Sequence, residues 1–375
     1  MARPQQQDIL IVGGGVVGMS VAFGLARLGT RVTVLDAGDG EFRASRGNFG
    51  LTWGQGKGVA MPRYAEVSLE SCDAWPAFAA ELEAISGVDV HYQGGGGVDL
   101  CLDEREAAAR CADYTQLACA TPQLAARFRW EYLDRAALEP LLPGLGPTIA
   151  GGTWSPHDGH CNPLQLLRAL HACCRTLGVD YRPEHAIESI TPLAHGFRIR
   201  AAQTTFDAER LVLAAGLGAA TLAPPLGLSG CVTPVRGQVL ITERLPLTPR
   251  LPTPQVRQTD NGSYQAGETH EHAGLDSAAS PHMIREIARR TLDIYPFLRD
   301  TRLVRAWGAL RIMTPDECPI YERSPRYPGA YNLSCHSGIT LSAFHADRLA
   351  RAICADRLDA ELSAFTGARF DVQTA

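Results

Sequence analysis

The run Gly13-Gly14-Gly15-Val16-Val17-Gly18 lies between an apolar segment and a helix-forming one, and no other feature constrains the chain as much. Residues 8–13 (DILIVG) read as a short parallel strand buried on both faces, because four successive apolar side chains leave neither face for water. A helix is expected over 17–28, with Gly29 just past its end, and then a strand over 31–35 closing on Asp36. In such a unit Gly13 permits the tight turn, Gly15 lets the backbone approach a pyrophosphate, and Gly18 lets the helix pack on the strand. Val16 and Val17 open the helix, where unpaired amide groups and positive potential favour phosphate. Asp36, 18 residues beyond Gly18 and followed by Ala37, stands where a carboxylate takes ribose hydroxyls and disfavours the 2′-phosphate of NADP. The pattern predicts dinucleotide binding, shared by FAD and NAD, and an α/β fold.

Composition removes other classes. The 375 residues are 45% hydrophobic and 20% charged, which excludes disorder and suggests two or three domains. A formal charge of -5 disfavours a nucleic-acid partner. No apolar run reaches the ~20 residues of a transmembrane segment. The opening MARPQQQDILIVGGG lacks the long apolar stretch of a signal peptide, so a cytoplasmic location is expected, with peripheral inner-membrane association through partners as the variant reading. Eleven cysteines without a CxxC pair read as free thiols, not as a metal site. Of 35 basic residues, only Lys57 is a lysine.

Farther along, residues 40–60 read as a long functional loop, 62–85 as a helix stopped by Gly87, and 88–102 as two strand-like pieces around Gly94–Gly97. The stretch 103–141 reads as largely helical. Asn162 and Pro163 predict a helix start running to Gly178, with Asp158 and His160 in the turn that caps it. Strands are expected near 187–190, 197–200 and 211–216, antiparallel strands over 231–275, a helix over 281–294, a strand over 307–311 and a last helix over 338–354. This predicts a Rossmann-like FAD-binding domain (1–88, 152–227 and 311–375) interrupted by an α+β, antiparallel-sheet substrate domain (89–151 and 228–310). Three further pieces favour a flavin over NAD. The small-residue loop at 44–51 could press amides on a flavin ring, and the strand end Ala215-Gly216 could return to the same cofactor. The start of the last helix could face the charge that gathers on a reduced flavin. An NAD dehydrogenase leaves these pieces without a purpose.

The ordered set VGGGVVG (12–18), SRGNFG (45–50), DGHCNP (158–163), VLAAG (212–216), TPVRGQ (233–238), Gly267-Glu268-Thr269, LRIMTPDECP (310–319) and HSGITL (336–341) resembles the flavin-dependent D-amino acid oxidase superfamily over nearly the whole chain. That superfamily includes glycine oxidase, sarcosine oxidase and D-amino acid dehydrogenase. RGNFGLTWGQGKG at 46–58 is most similar to the β-subunits of opine oxidases and D-hydroxyproline dehydrogenases, which implies a second, electron-carrying subunit. The resemblance implies that Gly13, Gly15, Gly18 and Asp36 hold the ADP half and that Ile187 meets the adenine side through its backbone. Ser45, Arg46, Asn48, Gly50 and Leu51 would touch the flavin ring region, and Gly338, Ile339 and Thr340 its pyrimidine edge. Arg311 would bind the substrate carboxylate, a role that suits a planar fork. Two departures stand out: Ile320-Tyr321 follows Pro319 where the family has an Ile-Gly pair, and the 335–338 stretch is short. The motif around Cys318 does not match that of covalent flavin attachment, so FAD is expected to be non-covalent.

The expected reaction is oxidation of the Cα–N bond of a D-amino, secondary (imino) or N-substituted amino acid by hydride transfer to FAD. His336 beside the flavin loop, Lys57 and Tyr264 are candidates for the pocket, whereas Arg236 reads as structural. The alternatives are a self-contained oxidase of glycine or sarcosine type, betrayed by hydrogen peroxide, and a non-catalytic flavin-binding protein whose FAD no amino acid reduces. No Ser/His/Asp set has a nucleophile motif, which disfavours a hydrolase.

Overall fold

The computed structural model describes residues 5–38, 43–248, 250–356, 358 and 360–371, so the opening residues and positions 39–42 of the expected long loop lie outside the described residues. Strand Gln5–Val12 pairs in parallel with Val32–Leu35 on one side and Thr204–Leu213 on the other. Asp180–Arg182 and Ala330–Ser334 extend the parallel sheet at its two ends, and Ile320–Arg323 closes one edge antiparallel. Side chains of a strand alternate between faces. Ile9 and Ile11 therefore enter the core beneath helices Val16–Arg27, Pro62–Ser86 and Pro163–Thr176. Leu10 and Val12 enter a second core on the opposite face, with Phe197, Ile199 and Phe206 of an antiparallel hairpin. Both faces are covered, which is why the strand reads as unbroken Ile-Leu-Ile-Val.

A four-stranded antiparallel sheet runs in the order Val256–Gln258, Ser263–Ala266, Thr233–Arg244, Leu303–Met313, with helix Pro281–Ile294 packed into its core. A three-stranded sheet joins Gly97–Cys101, Gly151–Ser155 and Glu131–Asp134. Asn162 caps the helix at Pro163 by accepting from the Leu164 and Gln165 amides, and Gly87 ends the long helix in the left-handed conformation, both as expected.

The structure departs from the sequence reading in four places. The 103–141 stretch holds the strand Glu131–Asp134, which exists because Gly151–Ser155 offers it an edge. The strands Ile320–Arg323 and Ala330–Ser334, unread in the sequence, complete the large sheet. The last helix starts at Ser342, preceded by a turn over 338–341, and continues through a π-helical segment, His345–Leu349, to Cys354. The expected boundaries at 151/152 and 310/311 also fall inside strands Gly151–Ser155 and Leu303–Met313. Among the described residues no helix is long and apolar enough to cross a membrane, and no group of three or more His, Cys, Asp or Glu residues could hold a metal.

Candidate active site

The glycine-turn end of the site is built from backbone. Gly13 sits at φ +113, where a Cβ would lie 2.2 Å from the Ala214 carbonyl oxygen, and a Cβ on Gly18 would lie 2.0 Å from that of Gly13. Strand, turn and helix approach so closely that a side chain at either position has no room. The Ser45 hydroxyl reaches this turn and accepts from the Val16 amide at 3.0 Å. Buried Asp36 accepts from the Gly14 amide (2.6 Å) and the Gly38 amide (2.8 Å), and keeps further lone pairs for a ligand. Ala37 beside it is exposed.

From Val16 and Val17 a cavity of about 400 Å³ runs past Ser45, Asn48 and Leu51 to Gly338, Ile339 and Thr340. A Cβ on Gly338 would lie 3.1 Å from Val17 Cγ2, so the turn before the last helix packs on the start of the first. Thr340 ties this turn to the neighbouring loop. Its hydroxyl accepts from the Trp53 amide (3.1 Å), and its carbonyl accepts from Ser71 Oγ (2.6 Å) and Trp75 Nε1 (3.0 Å). Gly50 is held at φ +92 against the Cys161 carbonyl, with its amide on Asn48 Oδ1 at 2.8 Å. Arg46 is half-buried in the same loop, outside the cavity lining. Ala215, Gly216 and Ile187 also lie outside the lining. The first two lie beyond the strand expected over 211–216, which stops at Leu213, and open a short 3-10 turn; Ile187 packs on the second core.

The far end carries charge. Arg311 stands on Leu303–Met313, diagonal to Gly237 on the paired strand, and a Cβ on Gly237 would lie 2.5 Å from Arg311 Nη1. The glycine makes room for the guanidinium, whose Nη1 donates to the Thr269 carbonyl at 2.6 Å. Lys57 Nζ lies 3.2 Å from His336 Nε2. Burial lowers the pKa of Lys57, opposed by Glu317. It also holds His336 well below the usual imidazole range, with Lys57 and Arg311 adding to the effect. Burial likewise lowers Arg311, against Glu268 and Glu317, and pushes Glu268 up to about 7 with help from Asp99.

Two expectations fail here. Tyr264 lies outside this cavity, buried in the antiparallel-sheet core against Tyr295 and Phe297, its hydroxyl accepting from Arg250. Asp158 does not cap the Pro163 helix. Its Oδ1 accepts from the amides of Gly54 (2.5 Å) and Gln55 (3.3 Å), bracing the loop that carries Lys57. Burial pushes the Asp158 carboxyl up to about 7 despite those bonds, and its Oδ2 has no partner among the described residues. His160 contacts Arg257 and Gln93, and Arg236 pairs with Glu271 and Asp276, as a structural residue would. Trp53, Gln55, Glu268, His270 and Glu317 also line the cavity. Glu268 belongs to the quoted Gly267-Glu268-Thr269 turn, Trp53 and Gln55 to the quoted 46–58 run and Glu317 to the quoted 310–319 run, though none of them reads as a pocket residue; nothing in the sequence marks His270.

A glycine cradle continuous with a cavity that ends in a guanidinium fits a dinucleotide with a ring system at its far end. Residues 8–352 match the family described as FAD dependent oxidoreductase, DAO. An opine oxidase subunit from Agrobacterium tumefaciens (strain Ach5) is 41% identical over 368 residues, covering 98% of this chain and 99% of the relative. The protein of the same name from Rhizobium meliloti is 39% identical with the same coverage. The crystal structure of glycine oxidase from Geobacillus kaustophilus superposes with a TM-score of 0.87 at 24% identity, over 96% of this chain and 98% of that one, which shows the shared fold. The fold and the site are thus those of an enzyme, an FAD-dependent oxidoreductase acting on amino acids. The chain belongs to the DAO family.

Proposed function

We propose that this enzyme oxidises the Cα–N bond of a D-amino, secondary (imino) or N-substituted amino acid, as the β-type subunit of an opine or D-hydroxyproline dehydrogenase. The observation that carries the reading is Arg311, a half-buried guanidinium on the cavity wall beside Gly237. Identity of 41% and 39% along nearly the full length to proteins named as opine oxidase subunits supports the substrate class and a partner subunit, to which we assign the carrying of electrons. In this reading Gly13, Gly15, Val16, Val17, Gly18, Asp36 and Ala37 hold the ADP half, with Ile187 on its adenine side. Ser45, Arg46, Asn48, Gly50, Leu51, Ala215 and Gly216, with Gly338, Ile339 and Thr340, frame the ring. The described residues of 1–88, 152–227 and 311–375 then form the FAD-binding domain, apart from the strand ends noted above.

Non-covalently bound FAD supplies the two-electron acceptor for the Cα hydride. The Cys318 thiol, pushed up to about 12 by burial, lies outside the cavity lining and supports the non-covalent reading. Arg311 holds the carboxylate in its planar fork and so orients Cα. The desolvation that lowers Lys57 acts on a substrate amine too, favouring the neutral form that can be oxidised without a dedicated base. Loss of the hydride leaves an iminium ion, which gives its N–H proton to water to become the imine, and water hydrolyses the product if it is linear. Anaerobic addition of octopine, then of cis-4-hydroxy-D-proline, to the purified holoenzyme should bleach the flavin band with one of them. A band unmoved by both sinks the substrate assignment.

A further inference from the structure

Lys57 and His336 come from segments far apart in sequence and meet across the cavity, with Nζ 3.2 Å from Nε2. Neither neutralises the other, because one is a cation and the other an imidazole. Resting on the reading above, we propose that Lys57 and His336 form a second anion subsite in the cavity that holds Arg311, so that the preferred substrate is a secondary amine bearing two carboxylates.

Charge placement carries the argument. Two of the acids on the cavity wall are already engaged: Asp99 with Arg110 at 2.8 Å and Glu268 with Arg290 at 3.4 Å. Glu317 faces the cations from an exposed turn, where water screens it. Among the described residues neither Lys57 nor Arg311 has a carboxylate within ion-pair distance. Arg311 can grip one carboxylate, and Lys57 is then a separate point charge with His336 as a neutral hydrogen-bond partner. Beyond the effect of burial, Glu317 raises Lys57 and Glu268 and Glu317 raise Arg311, while Arg311 lowers Lys57 and both cations lower His270 and His336; the acids act on the cations from a distance, without an ion pair to either. A monocarboxylate leaves one of the two cations without an anion, whereas a dicarboxylate gives each its own. The chain's sole lysine stands at this point.

Iminodiacetate and N-methylglycine share a secondary amine and one carboxymethyl arm and differ by one carboxylate. Stopped-flow reduction of the holoenzyme under anaerobic conditions yields, for each compound, an apparent dissociation constant separate from the rate of hydride transfer. Native enzyme should bind iminodiacetate the tighter, by about tenfold or more, the worth of one charge-assisted hydrogen bond. Lys57→Met should bring the ratio of the two constants toward one, His336→Gln should lower it less, and Lys57→Arg should restore most of it. A native ratio near one, or a Lys57→Met variant that weakens both ligands by one factor, overturns the subsite. A ratio left unchanged while the flavin spectrum shifts also overturns it and assigns Lys57 to the cofactor. If no amino or imino acid reduces the flavin at all, the parent reading fails and takes the subsite with it. Reduction by either compound with a ratio insensitive to Lys57 removes the subsite alone.

Discussion

The two ends of the cavity are built by different means. The nucleotide end is a local device: strand, glycine turn and helix lie within residues 5–38, and its fit comes from side chains that are missing, at Gly13 and Gly18. The charged end is assembled from loops around 53–57, 268–270 and 335–337 and from the end of one long strand, and its character comes from desolvated polar groups. The first depends on backbone shape and tolerates no added atom. The second depends on charge and tolerates changes of shape better than changes of ionisation.

The sharpest break in this contrast is Gly18→Ala. The new methyl would sit 2.0 Å from the Gly13 oxygen, so the helix must leave the strand. We expect a loss of about 4 kcal/mol or more and no retained flavin, read as melting temperature and the ratio of flavin to protein absorbance. A melting temperature within a few degrees of native, with flavin bound, would show that the turn has slack.

Asp158 offers the opposite kind of break. Its carboxyl titrates near 7 in the native protein against an ordinary 3.8, so the folded state holds the extra proton between those values. Stability is therefore full below about pH 4 and falls as pH rises to about 7, by roughly 4 kcal/mol from this group. Asp158→Asn keeps an oxygen for the Gly54 and Gln55 amides and cannot ionise. The difference between variant and native unfolding free energies should grow across that window, and a flat difference would refute the assignment.

Arg311→Lys keeps the charge and loses the fork. An approximately hundredfold fall in kcat/KM, about 2.7 kcal/mol, is expected with an unaltered oxidised flavin spectrum. Equal activity would move the carboxylate anchor elsewhere. Smallest of all, Asn162→Ala removes a helix cap and should cost about 1 kcal/mol without touching flavin content, checked by denaturant unfolding.

How much of each end is legible in the sequence follows from the same contrast. Gly13, Gly18 and Asp36 can be read because their spacing is set by one strand and one helix. Arg311 can be read because its strand and turn resemble a known pattern. Asp158 reads wrongly as part of the cap for the adjacent helix, since the amides it holds lie about a hundred residues earlier in the chain. Tyr264 reads wrongly as a pocket residue because an aromatic on a strand can face either a pocket or a core, and only the packing of Tyr295 and Phe297 decides. The strand Glu131–Asp134 is hidden because its own residues do not demand it; the edge of Gly151–Ser155 does.

By itself the sequence determined the glycine cradle and the α/β class, because these rest on local geometry and on which residues lack side chains, and it marked Arg311 through a family pattern. Only the tertiary structure decided that Lys57 meets His336, that Asp158 braces the Lys57 loop, and that Gly237 clears a space for Arg311. Those contacts join segments distant along the chain, and burial, which sets their charge, exists only once the segments have packed.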